Sequence, residues 1–124
     1  MDQVTQKEIQ ELTYYQGEHA IAGIKFRYAA KDLGVSAWGM NVIEMEANCP
    51  NYPEHDHRQD NQEEVYVVLK GSGTLKTQDK ACALQIGSIV RVGPLVKRKI
   101  LPGPDGITLL ALGGTPGQAY KVQS

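Results

Sequence analysis

Apolar and polar residues alternate in short runs from Gly23 onward, and turn residues separate these runs. Residues 24–28 begin the pattern, with three apolar side chains alternating with two basic ones. A period of two is typical of a half-buried strand, because successive side chains of a strand point to opposite faces. The pattern at 38–45 predicts a second strand, on which Met40 and Val42 share one face.

The strongest strand prediction covers residues 63–70, which are rich in β-branched and aromatic side chains. Residues 71–73 predict a turn after this strand, and the prolines and glycines of 102–106 predict a loop. Further short strands are predicted at 74–77, 81–84, 89–92, 96–100 and 107–112. Many short strands with tight turns, and no long helix, predict an all-β barrel or sandwich.

Two segments depart from the strand pattern. Residues 1–22 are polar and have only a weak helical pattern, so we predict an N-terminal arm ahead of one domain over residues 23–124. Residues 29–33 can form a single helical turn, which Gly34 can end in a left-handed conformation. The predicted organisation is one β-barrel domain with a short arm.

Composition and charge narrow the functional classes. The chain has 124 residues, of which 41% are hydrophobic and 22% charged, as is typical of one globular domain. The formal net charge is −1 and the basic residues form no long stripe, so we expect neither nucleic acid nor an anionic membrane as a partner. No run approaches the roughly 18 apolar residues of a membrane helix, and the N-terminus does not resemble a secretion signal. Cys49 and Cys82 alone indicate neither a disulfide framework nor a zinc ribbon, and a cytoplasmic location is expected.

The candidate chemistry is concentrated at His55, His57 and Glu64. Two of the three histidines of the chain lie here with one residue between them, so on a strand both imidazoles would reach the same point. A carboxylate would complete a two-histidine, one-carboxylate metal site, which leaves coordination positions open for substrate or oxygen. The alternative is a pair of surface histidines in a polar loop. His19, in the arm, is expected to be an ordinary surface residue.

These residues resemble the first motif of the cupin superfamily, a group of small jelly-roll β-barrels. In that motif a histidine pair is followed by a glutamate and, after six further residues, by a glycine, which matches Glu64 and Gly71. Gly87 matches the glycine that opens the second motif, with fifteen residues between it and Gly71. The resemblance spans residues 23–115 and implies a cupin barrel. It also implies one divalent ion, either iron, manganese, nickel or zinc, held by His55, His57 and Glu64.

The chain departs from the cupin motifs at several positions. Six residues rather than three or four separate His57 from Glu64. Arg98 stands where the motif has its fourth metal ligand, a histidine, and a protonated guanidinium has no lone pair to donate to a metal. The other replacements are Cys49 for a glycine, Gly93 for a proline and Leu95 for a glycine. The four-ligand cupin site is therefore absent as such from this sequence.

Three interpretations of Arg98 remain open. In the first, the metal is kept and the planar guanidinium binds an anionic substrate beside it. In the second, Arg98 pairs with Glu64 or Glu63 and replaces the metal, which a nearby fixed cation would repel. In the third, residues 97–99 are a solvated charged hairpin. Because Arg98 shares a strand face with apolar Val96 and Ile100, the third interpretation is the least favoured.

The resemblance implies a small-molecule pocket and two alternative functions. Candidate substrate-binding residues are Arg98, Tyr66 on the face of Glu64, and Tyr28, Trp38 and Met40 on neighbouring strands, with plain core packing as the alternative for each apolar one. One function is a metal-dependent oxygenase or isomerase-type enzyme for an anionic small molecule. The other is a non-catalytic, metal-free protein that binds or senses a small ligand. A homodimer is expected, because small cupins commonly pair through an outer sheet.

Overall fold

An antiparallel sheet of six strands makes up most of the computed structural model, which describes residues 4–117. In chain order the elements are β1 Ile24–Arg27, α1 Ala29–Leu33, β2 Gly39–Met45, β3 Glu63–Lys76, β4 Ala81–Leu84, β5 Ile89–Val92 and β6 Lys99–Gly114. A single 3-10 turn, Ile9–Glu11, precedes them. The all-β class that the sequence predicts is confirmed.

The long strands β3 and β6 lie at the centre of the sheet and pair with each other along most of their length. The strand order is β1-β2-β6-β3-β4, and β5 pairs with the first half of β3. Strand β4 pairs with the second half of β3, at residues 73–76. Inward side chains from both halves of the long strands belong to one apolar cluster, so the sheet encloses a common interior.

The turn predicted at 71–73 and the loop predicted at 102–106 are wrong, because both segments continue as strand. The pairing register shifts between Gly71 and Gly73, which is the mark of a β-bulge. Gly71 and Gly106 have positive φ angles of 78° and 73°. A Cβ atom on Gly71 would lie 2.1 Å from the carbonyl oxygen of Gly106. These glycines therefore let the two long strands bend while their backbones stay in contact.

Several smaller predictions can be compared with the structure. The helical turn at Ala29–Leu33 is confirmed, and Gly34 ends it in the left-handed conformation with φ at 81°. The strand predicted at 96–100 starts later, because β6 begins at Lys99. No helix within residues 4–117 is long and apolar enough to cross a membrane.

The sheet separates two apolar clusters. The interior cluster is centred on fully buried side chains such as Tyr66 and Leu109. The second cluster lies on the other face, where Leu12 of the arm and Ala29 of α1 pack against Val42. Only side chains that face the interior cluster can form a site inside the barrel.

The N-terminal arm is attached to the outer face by hydrogen bonds as well as by Leu12. Thr5 Oγ1 donates to the carbonyl oxygen of Leu33 at 2.7 Å, and the Thr13 amide donates to Asp32 Oδ2 at 2.7 Å. Arg27 Nη1 donates to the carbonyl oxygen of Leu12 at 2.8 Å. The arm therefore covers apolar surface that the outer face of β2 would otherwise expose.

Candidate metal centre

The backbone holds the two histidines over the segment that carries Arg98. The His55 amide donates to the Arg98 carbonyl at 3.1 Å, and the Arg98 amide donates back to His55 at 2.9 Å. The His57 amide donates to the carbonyl oxygen of Pro94 at 2.9 Å. On the other side, Glu64 lies on β3 with its side chain largely buried, while its neighbour Glu63 pairs with Arg91 on the outer face. The prediction that Glu63 and Glu64 point to opposite faces is confirmed.

The three predicted metal ligands lie together. Glu64 Oε1 is 3.0 Å from His57 Nε2 and 3.8 Å from His55 Nε2. One ligand atom from each of the three residues lies within 4.8 Å of the other two. The imidazole rings meet edge to face, with 5.1 Å between their centroids. Three ligand atoms grouped in this way could hold one metal ion.

Hydrogen bonds on the far side of each ring determine which nitrogen faces Glu64. His55 Nδ1 lies 2.9 Å from the carbonyl oxygen of Pro53, and His57 Nδ1 lies 3.0 Å from Asp60 Oδ1. Because a carbonyl and a carboxylate can only accept, each Nδ1 carries a proton, and Nε2 is the nitrogen left to bind a metal when the ring is neutral. Metal-binding histidines have this arrangement in proteins, with an oxygen acceptor on the second nitrogen.

The hydrogen-bond acceptors of the cluster face one another, as expected around a shared cation. His57 Nε2 is buried and has no hydrogen-bond partner among residues 4–117. Two imidazole lone pairs and a carboxylate would repel one another, whereas a divalent ion between them satisfies all three. Nitrogen and oxygen donors of this kind suit iron, manganese, nickel or zinc. The residues present therefore fit a metal ion.

Glu64 is held in its ionised form. Burial raises the pKa of its carboxyl group, but contacts with His55 and Tyr66, together with the positive charge of Arg98, outweigh burial and lower that pKa. The pKa of His55 is raised, chiefly by its contact with Glu64. The closer imidazole is nevertheless that of His57, at 3.0 Å. A carboxylate with a lowered pKa is available as a ligand at neutral pH.

Arg98 is completely buried beside Glu64. Its Nη1 lies 3.6 Å from Glu64 Oε1, and its Nη2 donates to the carbonyl oxygen of Gly93 at 3.0 Å. Nε and Nη1 have no hydrogen-bond acceptor in the part of the chain that the structure describes. The interpretation of Arg98 as part of a solvated hairpin is therefore wrong, because Arg98 pairs with His55 in a β-bridge just before β6 and its side chain is fully buried.

Two tyrosines complete the cluster. Tyr66 is fully buried and donates its hydroxyl proton to Glu64 Oε1 at 2.7 Å. The Tyr52 hydroxyl lies 3.1 Å from that of Tyr66. Burial raises the pKa of Tyr52 to about 12 and also raises the pKa of Tyr66, so both phenols stay protonated. Sequence reasoning did not find Tyr52 or Asp60, and the only signal was their position on either side of the histidine pair.

Three other predicted pocket residues lie away from the cluster. Met40 shares the outer face of β2 with Val42 and packs in the second apolar cluster. Trp38 is 46% exposed and lines an outer-surface groove with Val65 and Leu112. Tyr28 directly precedes α1, where its ring lies under the ammonium group of Lys31 at 5.5 Å. Because these three residues face outward or lie beyond the strand ends, the structure does not bring them to the histidines.

The histidine loop is open to the surface on one side. Residues 56–60 line a groove of about 550 Å³, and His57 is one of them. A second groove, of about 420 Å³, lies elsewhere on the sheet near Lys25, Glu46 and Lys70 and contains none of the cluster residues. His19 is 84% exposed beside Glu18, as the sequence predicts. Access to the cluster is therefore to be sought at the 56–60 groove.

No protein-family model matches the chain, and no curated protein matches it in sequence. Solved structures match it in fold. A cupin protein from Bacteroides fragilis aligns over 99% of this chain and 93% of its own length, with 19% identity and a TM-score of 0.68. A sugar phosphate isomerase of the cupin superfamily from Silicibacter pomeroyi aligns over 90% of this chain and 77% of its own, with 17% identity and a TM-score of 0.74.

A further similar structure contains a metal. The Fe(II) form of HppE with an alternative substrate aligns over 92% of this chain and 62% of its own length, with 15% identity and a TM-score of 0.69. At such identities the similarity concerns the fold alone. The motif residues, the strand topology and these structures agree, and the chain has the fold of the cupin superfamily.

Proposed function

We propose that this chain binds one divalent metal ion through His55, His57 and Glu64 and acts as a metal-dependent enzyme on an anionic small molecule. The observation that carries the proposal is the orientation of the imidazoles: both Nδ1 atoms are engaged by oxygen acceptors, and both Nε2 atoms face Glu64. A structure of similar fold holds Fe(II), and another is described as a sugar phosphate isomerase.

The bound ion would supply Lewis-acid or oxygen-activating chemistry, which is the basis of an oxygenase or isomerase-type reaction. The chain's own contribution is to hold the ligands in place. Asp60 and the Pro53 carbonyl fix the two rings, and the contacts around Glu64 keep the carboxylate ionised. Iron, manganese, nickel and zinc all accept this ligand set.

Arg98 is the group proposed to recognise the negative charge of the substrate. A buried donor without an acceptor costs about 1–3 kcal/mol, and the Nε and Nη1 groups of Arg98 are two such donors among the described residues. A carboxylate or phosphate group of a substrate would accept a charge-assisted hydrogen bond from either of these donors. The substrate class proposed is therefore a small carboxylate or phosphate ester.

The second candidate function is metal-free ligand binding, with an Arg98–Glu64 pair in place of the metal. The 3.6 Å distance between Nη1 and Oε1 supports it. That distance is too long for a good hydrogen bond, and Nη1 keeps no acceptor within residues 4–117. The pair is therefore an incomplete substitute for a metal, and the enzyme proposal is favoured.

Metal content is the experiment that decides between the two functions. The untagged protein is purified without chelator and analysed for metals beside the His55→Ala/His57→Ala variant. Near-stoichiometric metal in the first sample and its loss in the second is the expected result. Absence of metal from the native chain, even after anaerobic addition of ferrous, manganous or zinc ions, would overturn the proposal and leave the metal-free function.

A homodimer formed through the outer face is part of the same proposal. Trp38, Leu69 and Ile89 on or beside that face are 46%, 39% and 72% exposed. Exposed large apolar side chains are found at association surfaces when they form a patch. Light scattering on the native chain and on an Ile89→Lys variant tests this: the native chain should have twice the monomer mass, and the variant should dissociate.

A further inference from the structure

Two buried tyrosines form a hydrogen-bond chain that ends on Glu64. Tyr66 is fully buried and Tyr52 is 3% exposed. The Tyr66 hydroxyl donates to Glu64 Oε1 at 2.7 Å, and the Tyr52 and Tyr66 oxygens are 3.1 Å apart. Plain core packing explains two buried aromatic rings, but it does not explain why one hydroxyl contacts a carboxylate and the second hydroxyl contacts the first.

The direction of this chain follows from counting protons. Each phenol has a single proton, and an ionised carboxylate can only accept. The proton of Tyr66 is therefore used on Glu64, and Tyr52 must donate its own proton to the oxygen of Tyr66. Hydrogen bonds in such a series polarise one another, so the bond to Glu64 is strengthened by Tyr52.

The hydrogen bonds between Tyr52, Tyr66 and Glu64 also connect the two elements that carry the candidate ligands. Tyr66 follows Glu64 by two residues on β3 and shares its inward face. Tyr52 belongs to the segment before the histidines, and its ring packs against that of His55 with 5.6 Å between the centroids. Tyr52 therefore contacts the histidine loop and, through Tyr66, the carboxylate strand.

The contacts of Glu64 Oε1 indicate that these hydrogen bonds would control the orientation of the carboxylate. The same oxygen lies 3.0 Å from His57 Nε2 and 3.6 Å from Arg98 Nη1. A full positive charge with unused donors competes with the histidines for the carboxylate. A hydrogen bond from Tyr66 occupies one lone pair of Oε1 and so fixes the direction in which the other lone pair points.

We propose that Tyr66, supported by Tyr52, is a positioning residue that keeps Glu64 turned towards the histidines instead of towards Arg98. The proposal rests on the metal function proposed above, to which it adds two residues that the metal itself does not contact. Without the Tyr66 hydroxyl, the carboxylate is free to rotate onto the Arg98 fork, and the third ligand is lost for part of the time.

The test is Co²⁺ binding to the full chain and to the variants Tyr66→Phe, Tyr52→Phe and the double variant, with Tyr14→Phe as the control. Tyr14 lies on the outer face beside Lys25 and Arg27. Tyr66→Phe should weaken Co²⁺ binding about 10–100-fold, the usual effect of removing a group that orients a ligand. Tyr52→Phe should weaken it less, and should add nothing in the Tyr66→Phe background.

Two further readouts separate positioning from loss of structure. The visible absorption spectrum of bound Co²⁺ reports the ligand geometry and should change in Tyr66→Phe but not in Tyr14→Phe. The melting temperature of the metal-free variants shows whether folding has suffered. Native-like affinity and spectrum in Tyr66→Phe would overturn the tyrosine proposal alone. No Co²⁺ uptake by the native chain would overturn the metal function and the tyrosine proposal together.

Discussion

The structure buries two arginines, and their surroundings differ in an instructive way. Arg27 is 4% exposed on the outer side of β1, where Nε pairs with Glu44 and Nη1 donates to the Leu12 carbonyl. Arg98 is 0% exposed on the inner side, where Nε and Nη1 have no acceptor among residues 4–117. The first is a satisfied ion pair that attaches the arm to the sheet. The second keeps two donors unused beside three candidate metal ligands.

The two arginines differ in whether the chain itself compensates the cost of burying their charge. A buried charge costs several kcal/mol unless partners compensate it, and the partners of Arg27 do so within the chain. The partners of Arg98 are incomplete, although Glu64 is close enough to attract it. A ligand could supply the missing partner, and this is the basis for the proposal that Arg98 binds the anionic group of a substrate.

The largest expected effect comes from exchanging each arginine for an apolar side chain. Arg27→Met should lower the free energy of unfolding by about 3 kcal/mol, because Glu44 loses its partner and the arm loses a hydrogen bond. Arg98→Met should change it by about 1 kcal/mol or less, because two unsatisfied donors leave the interior with the charge. Urea denaturation of both variants measures the contrast.

Metal affinity provides the control for this pair of variants. Co²⁺ binding should be unchanged in Arg27→Met, since that side chain lies on the other face of the sheet. If Arg98→Met destabilised the chain as strongly as Arg27→Met, Arg98 would be a structural ion pair like the other. The comparison would then lose its functional meaning.

The next largest effect is expected from Arg98→His, which restores the residue of the cupin motif. A fixed cation about 5 Å from a divalent ion costs several kcal/mol even at an effective dielectric constant of about 20. Removing it and adding an imidazole should raise the affinity for Co²⁺ or Zn²⁺ at least tenfold, as measured by competition with a chelating dye. Arg98→Gln serves as the control that removes the charge without adding a ligand. Unchanged metal affinity in both variants would show that the guanidinium charge does not affect metal binding.

The sequence predicts the inner face better than it predicts the contacts made across it. Alternation places Glu64, Tyr66 and Arg98 on the interior side, and the motif spacing selects Glu64 as the ligand. The same alternation does not show which face of β2 is the inner one, so the sequence predicts Met40 in the pocket although it packs on the outer face. Face assignment needs the neighbouring strands, which a single strand's pattern does not contain.

Contacts between residues that are distant in the sequence are the least predictable part of the fold and of the site. Tyr52 and Tyr66 are fourteen positions apart and meet only after the loop folds over β3. Gly71 and Gly106 look like turn residues in the sequence, yet they lie within strands because the close approach of two backbones requires them. Glycine indicates a special backbone, and only the fold shows whether that backbone is a turn or a bulge.

A smaller effect is expected from Asp60→Asn on the histidine side of the site. The change removes the carboxylate that orients His57 through Nδ1, at 3.0 Å. Loss of such an outer partner should weaken metal binding about tenfold, at the lower end of the usual range, because an amide oxygen still accepts. Asp79→Asn, in the exposed turn before β4, is the matched control. Equal Kd values for Co²⁺ in the two variants would contradict the tautomer assigned to His57.

The smallest effect concerns the arm. The Asp32 carboxyl accepts the Thr13 amide, which lowers its pKa below the usual 3.8. A group whose pKa is lower in the folded state stabilises the fold above its unfolded pKa. It loses that contribution as the pH falls through the folded value. Because Asp32 is only partly buried, we expect a small additional fall in melting temperature below pH 4, present in the native chain and absent in Asp32→Asn. A matched fall in both proteins would mean that this carboxylate does not help to attach the arm, which Leu12 and Arg27 would then hold without it.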